Sequence, residues 1–182
     1  MQRWRRRNWT STIILSAVLL LLATTAQAFG VGGYFQYGNT EHSDKLGFGA
    51  AIDTNLAKNR LVNYRLTVGY EYIILDFGFD SYSTSGISIN NTLGFGLYKN
   101  SSMRLWIDPA IRLNYDDVND AGIGVGPEFG INFHIGNRLS AGGSLSYQYM
   151  QYMTVSDKDS NDHHLVTLGI TLFFRTAGDR YN

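Results

Sequence analysis

From Val62 to Ile74 the chain alternates strictly. Val62, Tyr64, Leu66, Val68, Tyr70, Tyr72 and Ile74 fall on one side of an extended strand, and Asn63, Arg65, Thr67, Gly69, Glu71 and Ile73 on the other. From Ala121 to Ile135 the pattern returns, with Ala121, Ile123, Val125, Pro127, Phe129, Ile131, Phe133 and Ile135 set against Gly122, Gly124, Gly126, Glu128, Gly130, Asn132 and His134. No charge falls on either apolar side. The same period of two predicts strands over Phe29 to Tyr37, Lys45 to Asp53, Gly86 to Tyr98, Met103 to Tyr115, Arg138 to Met153 and His164 to Phe174, which makes eight. Each is long enough for the roughly 9 to 11 residues with which a tilted strand crosses a bilayer, where strands of soluble domains run to about 5 or 6. No helical period of useful length follows Ala28.

The connections differ in kind. Gly38 to Asp44, Asp76 to Ser85, Asp116 to Asp120 and Thr154 to His163 are polar or acidic and mostly long, whereas Thr54 to Arg60, Lys99 to Ser102 and Gly136-Asn137 are tighter. The two classes alternate, and the seven connections begin and end with the longer one, so both chain ends are expected on the short-turn side. Charge separates the ends too. Glu41, Asp44, Asp76, Asp80, Asp116, Asp117, Asp120, Asp157, Asp159 and Asp162 border the longer class with only Lys45 and Lys158 among them, and Lys58, Arg60, Lys99, Arg104, Arg138 and Arg175 lie toward the other end.

Ahead of the strands stand a basic head with Arg3, Arg5, Arg6 and Arg7, an apolar run from Ile13 to Ala23, and Ala26-Gln27-Ala28. These are the three parts of a secretory signal peptide cut after Ala28. The run is too short for the roughly 20 residues of a membrane-spanning helix. The expected organisation is therefore 1–28 signal peptide, 29–174 one barrel domain, and 175–182 a short periplasmic tail. Four of the 15 basic residues leave with the signal, so the mature part keeps eleven against 15 acidic ones, which argues against a nucleic-acid partner. An exported chain without cysteine must gain stability other than from disulfides.

A soluble cup or sandwich would turn the apolar face inward and the polar face to water. Here the polar face is built from Gly47, Gly49, Gly94, Gly96, Gly122, Gly124, Gly126, Gly130 and Gly142, a poor solvent surface but a good crowded interior for eight strands. With the apolar face outward, Tyr37, Tyr70, Tyr72, Tyr115, Tyr147 and Tyr149 ring one rim, and Tyr64, Phe133 and Phe174 the other, as aromatic belts do at membrane interfaces. The fold expected is all-β, an eight-stranded antiparallel up-and-down transmembrane barrel.

The signal peptide, the eight alternating strands and the terminal run Val166-Thr167-Leu168-Gly169-Ile170-Thr171-Leu172-Phe173-Phe174 resemble the small eight-stranded outer-membrane barrels, of the kind of the outer membrane protein A transmembrane domain, outer membrane protein X and the opacity-type adhesins. Such barrels often end on a Phe, and here Arg175 to Asn182 follow it. The resemblance implies an integral protein of the bacterial outer membrane with both termini periplasmic. It also implies contact with outer-membrane lipid and lipopolysaccharide, insertion by the barrel insertion machinery, and room for an extracellular partner.

The inward face carries Lys45, Asp53, Arg65, Glu71, Arg104, Asp108, Arg112, Glu128 and Arg138, with His134, and a paired lumen network is expected, Asp53 beside Arg65 and Arg104, Asp108 and Arg112 near Glu128 and Asn132. Such a network is either a plug of ion pairs or the gate of a small pore. At the opposite rim, His42 and Asp44 in the first loop approach Asp162, His163 and His164 in the last, residue types that suit a divalent cation. No other cofactor is expected. Lipid-modifying enzymes also use eight-stranded outer-membrane barrels, but the strings His-x-Ser and Asn-His-Ser of the deacylase and phospholipase types do not occur. Glu41-His42-Ser43-Asp44 cannot form a relay among itself, since neighbours on an extended loop alternate sides. A non-enzymatic structural or surface-interacting role is expected, with a small channel and then a lipid-modifying enzyme as the alternatives.

Overall fold

The structure, a computed structural model, describes residues 29–41, 43–55, 62–76, 81–100, 102–117, 120–135, 138–152 and 162–175. The expected signal peptide and the tail beyond 175 lie outside the described residues. Eight strands follow in order: β1 (Phe29–Asn39), β2 (Ser43–Asn55), β3 (Val62–Asp76), β4 (Ser81–Lys99), β5 (Met103–Asp116), β6 (Asp120–Ile135), β7 (Leu139–Tyr152) and β8 (Asp162–Arg175). Each pairs antiparallel with its sequence neighbour, and β8 returns to β1 through pairs running from Gly30 with Arg175 to Asn39 with Val166, closing the barrel. Closure leaves no unpaired sheet edge, the condition for a sheet to sit in lipid.

The strands run further than the polarity pattern suggested. The β3–β4 ladder continues to Asp76 opposite Ser81, where a loop to Ser85 was expected, and the β1–β2 and β5–β6 ladders reach Asn39 opposite Asp44 and Asp116 opposite Asp120. Backbone groups make the ladder, so Ser, Thr and Asp continue it wherever nothing forces them out. The contrast in connection length between the two ends is consequently weak, and only the connection from Tyr152 to Asp162 stays long. Short hairpins are tied by side chains: the Asn100 amide oxygen accepts the Ser102 and Met103 N–H groups at 2.9 and 2.7 Å, and Thr40 Oγ1 lies 2.7 Å from Ser43 Oγ.

The outer surface carries the apolar side chains, among them Phe48, Val125, Leu168 and Ile170, all exposed. The six tyrosines expected at one rim are all exposed, as are Phe133 and Phe174 at the other. Tyr64 keeps the outward side of the ladder, opposite Thr54 and Leu93, but is 3% exposed, and its hydroxyl donates to Asn91 Oδ1 at 2.7 Å. The two prolines stand opposite each other on the outer face, Pro109 on β5 and Pro127 on β6. Lacking an N–H, each interrupts the ladder on its far side: β5 skips β4 at Asp108 and Pro109, and β6 skips β7 at Gly126 and Pro127.

Candidate functional site

The lumen is the candidate site, because the inward positions gather nearly all the buried charge. Near the chain ends, Asp53 stands opposite Arg65 in the β2–β3 register and lies 3.8 Å from it. Asp53 also accepts from Arg175 at 2.6 Å and from the Asn63 amide at 2.9 Å, while Asn63 in turn accepts from Arg104. The Arg65 guanidinium stacks 4.3 Å from the Trp106 ring, and Arg65 and Arg175 both approach Phe173, at 5.5 and 5.4 Å. Arg175, expected in the tail, is thus a lumen residue. The alternation of Thr171, Phe173 and Arg175 was the signal that could have found it.

Further along the barrel, Arg112 on β5 forms a buried ion pair with Glu71 on β3, two strands away. Its Nε donates to Asn114 at 2.8 Å, and Gln36 donates to Glu71 at 2.5 Å. Arg112 was expected near Glu128, but in register it faces Gly124, and a residue without a side chain leaves it free to reach across the lumen. Between these two clusters Asp108 stands directly opposite Glu128, which accepts from the Asn90 amide at 3.2 Å. Lys45 is buried near the other mouth and donates to the Tyr152 hydroxyl at 3.0 Å. Asp116, expected in a loop, is buried there as well. Arg138 is the expected lumen residue that is not one: β7 begins at Leu139, so Arg138 stays exposed at the turn, where its carbonyl accepts the Arg175 N–H at 2.7 Å. His134 is half-buried close by.

The lumen is more aromatic than its polar sequence face suggested, and the glycines explain how it fits. Trp106 pairs with Gly130, Met150 with Gly124 and Tyr152 with Gly122. Tyr34 lies over Gly69 two strands away, and its hydroxyl sits 3.4 Å from Ser88 Oγ. A Cβ at any of these four glycines would overlap the large side chain above it. The space that the glycine stretches open is therefore taken up by a Trp, a Met and two Tyr, with ion pairs between them.

At the opposite rim the expected cation ligands do not converge among the described residues. Asp44 Oδ1 accepts from Tyr37 at 2.7 Å and from Asn39 at 2.8 Å. His164 Nδ1 lies 2.6 Å from the Tyr147 hydroxyl, with the two rings stacked 5.6 Å apart. His42 lies outside the described residues, and Asp162 and His163 open β8, opposite Gln151 and Met150.

No family model and no curated protein matches the sequence. Solved structures do resemble the fold. Neisserial surface protein A is 12% identical, with a TM-score of 0.54 over 82% of this chain and 96% of that one. The outer membrane protein OprG from Pseudomonas aeruginosa is 9% identical, with 0.54 over 83% and 96%. A major outer membrane protein from Thermus thermophilus is 16% identical, with 0.51 over 80% and 99%. This chain has the fold of the small outer-membrane β-barrels.

Proposed function

We propose that the protein is an integral outer-membrane barrel with a sealed lumen, whose role is structural or lies in contacts made at its outer rim rather than in catalysis. The observation that carries this reading is the match of Trp106, Met150, Tyr152 and Tyr34 to Gly130, Gly124, Gly122 and Gly69, which leaves the eight-stranded interior filled. The exposed apolar belt between tyrosine and phenylalanine rims supports insertion in lipid. In such barrels both termini lie in the periplasm, which would place Glu41, Asp44 and Asp117 outside, where acidic groups can share the divalent cations that bridge lipopolysaccharide or meet an extracellular partner. The rim serine and carboxylate of the first hairpin are engaged within it, Ser43 by Thr40 and Asp44 by Tyr37 and Asn39, which favours a binding surface over a catalytic relay.

The test is adhesion of cells expressing the protein to host-type surfaces and to lipopolysaccharide, compared with variants carrying Glu41→Gln and Asp117→Asn and a shortened 153–161 connection. Weakened adhesion with normal insertion supports the reading, and unaltered adhesion counts against it. A second reading, a narrow channel, is favoured by the Arg112–Glu71 pair, since breaking one cross-lumen ion pair would clear part of the section. Stepwise conductance in planar bilayers that changes in Arg112→Ala would establish it, and silence in both proteins would end it.

A further inference from the structure

We propose that the outer face of β4 and β5 around Asn91 is a contact between two copies of this barrel in the membrane, joined by their two Asn91 carboxamides. The inference rests on the fold and not on what the rim binds.

Between the aromatic rims the outward positions carry apolar side chains or glycine, and Asn91 is the exception among the described residues. Its register fixes the side on which it lies: Asn91 stands opposite Leu66 on β3 and Ile111 on β5, both members of the apolar outer set. Ile111 lies four residues from Tyr115 at the rim, about 13 Å along a strand that rises about 3.3 Å per residue. That depth is well inside an apolar band about 25 Å tall. Asn91 Oδ1 accepts from the Tyr64 hydroxyl at 2.7 Å, its one side-chain hydrogen bond among the described residues. The carboxamide also carries two N–H donors. Lipid tails offer no acceptor, and a polar hydrogen left bare in hydrocarbon is costly.

Depth selects the partner. Two copies inserted in the same direction are related by a two-fold axis along the membrane normal, so every residue keeps its own depth and one beside the axis meets itself. A carboxamide both donates and accepts, and Asn91 of one copy can therefore receive an N–H from Asn91 of the other while giving one back. Side-chain amides join membrane-spanning segments in this way. A lipid carries its own polar groups at the interface and brings none to this level.

The surface beside Asn91 has the shape for such a contact. Pro109 and Pro127 stand opposite each other on the outer face and, with Phe95, Ile107, Ile111 and Val125, line a shallow apolar groove. Ile111 is the residue directly opposite Asn91, so the amide sits at the edge of the groove. Leu93 and Phe95, both exposed, follow Asn91 along β4 and form a ridge next to it. A two-fold contact sets the ridge of one copy against the groove of the other, twice over.

The chain has no cysteine, so a single one can report the face. Ile111→Cys on β5 and, as control, Ile170→Cys on β8, the strand across the closed barrel from β4, are refolded into phosphatidylcholine vesicles and treated with a short bismaleimide crosslinker. Denaturing gels read the crosslinked dimer, and heat-modifiable migration confirms that each variant is folded. Ile111→Cys should give severalfold more dimer than Ile170→Cys. Adding Asn91→Leu to Ile111→Cys should lower that yield to the control level, while Asn91→Gln, which keeps the carboxamide, should lower it less. If Asn91→Leu does not insert, Asn91→Ala removes the amide without adding bulk and should show the same loss. Equal yields at positions 111 and 170 mean random collision and overturn the contact. More dimer at 170 than at 111 places the interface on another face and overturns it too, as does a yield at 111 that is unchanged without the amide.

Discussion

The guanidinium of Arg175, the last residue of β8, donates to Asp53 on β2 across 2.6 Å, reaching past β1 and so bracing the seam where the two ends of the sheet meet. Its Nε also donates to Ser140 on β7 at 2.7 Å. Arg175→Ala should lower unfolding stability by about 3 to 5 kcal/mol, the range for leaving one partner of a buried pair behind. Arg175→Lys should recover less than half, because one ammonium cannot serve both partners as the guanidinium fork does. Urea unfolding followed by tryptophan fluorescence checks both values, and wild-type stability in the alanine variant contradicts the brace.

The fit of Trp106 over Gly130 predicts opposite volume errors with the same sign in stability. Trp106→Ala removes the largest side chain of the plug and should cost about 3 to 5 kcal/mol. Gly130→Val, which drives a side chain into the indole, should cost about 1 to 3 kcal/mol. Combining them should cost less than the sum of the two, measured by urea unfolding followed on heat-modifiable gel migration, because Trp4 and Trp9 lie in the expected signal peptide and Trp106→Ala leaves no tryptophan to report.

Arg112 and Glu71 should behave as a coupled pair. Arg112→Ala and Glu71→Ala should each destabilise by about 3 to 5 kcal/mol, and the double variant by clearly less than the two together. A double-mutant cycle on equilibrium unfolding reads the coupling, and simple additivity would mean that the ion pair contributes nothing.

Ile170, 65% exposed, marks the lipid-facing belt. Ile170→Arg should cost about 2 to 4 kcal/mol in phospholipid bilayers, the range for a cation at the midplane of a barrel's outer face. The same change in detergent micelles should cost less, because a micelle deforms around the charge more readily than a bilayer. Equal costs in both would argue that Ile170 does not face lipid.

The alternation in β3 and β6 carried the strand number, the outward face and the neighbours across one ladder, and so Asp53 beside Arg65 and Asp108 opposite Glu128 were legible from pairing alone. Arg112 with Glu71 was not, because a contact across the lumen depends on how closure staggers β3 against β5. Side-chain polarity misplaced the strand ends at Ser81 and Asp116, since the ladder is made by backbone groups. The same rule set Arg175 outside the barrel, when β8 runs one residue beyond Phe174. The outward side of Tyr64 was legible from its period, but its hydrogen bond to Asn91 was not, because a pattern of hydropathy does not register side-chain pairing across β3 and β4. The interior aromatics were visible as residues, but their match to glycines required the register of neighbouring strands.

The most direct test of a barrel that spans the outer membrane and presents one rim outward uses the absence of native cysteine. Single substitutions Glu41→Cys and Asp117→Cys at one end and Asn100→Cys at the other, all at exposed hairpin positions, are probed on intact expressing cells with a membrane-impermeant thiol reagent. The cysteines at 41 and 117 should label on intact cells, and the one at 100 only after the outer membrane is permeabilised. Labelling at 100 with protection at 41 and 117 would invert the orientation, and equal labelling of all three without permeabilisation would contradict a membrane-spanning barrel.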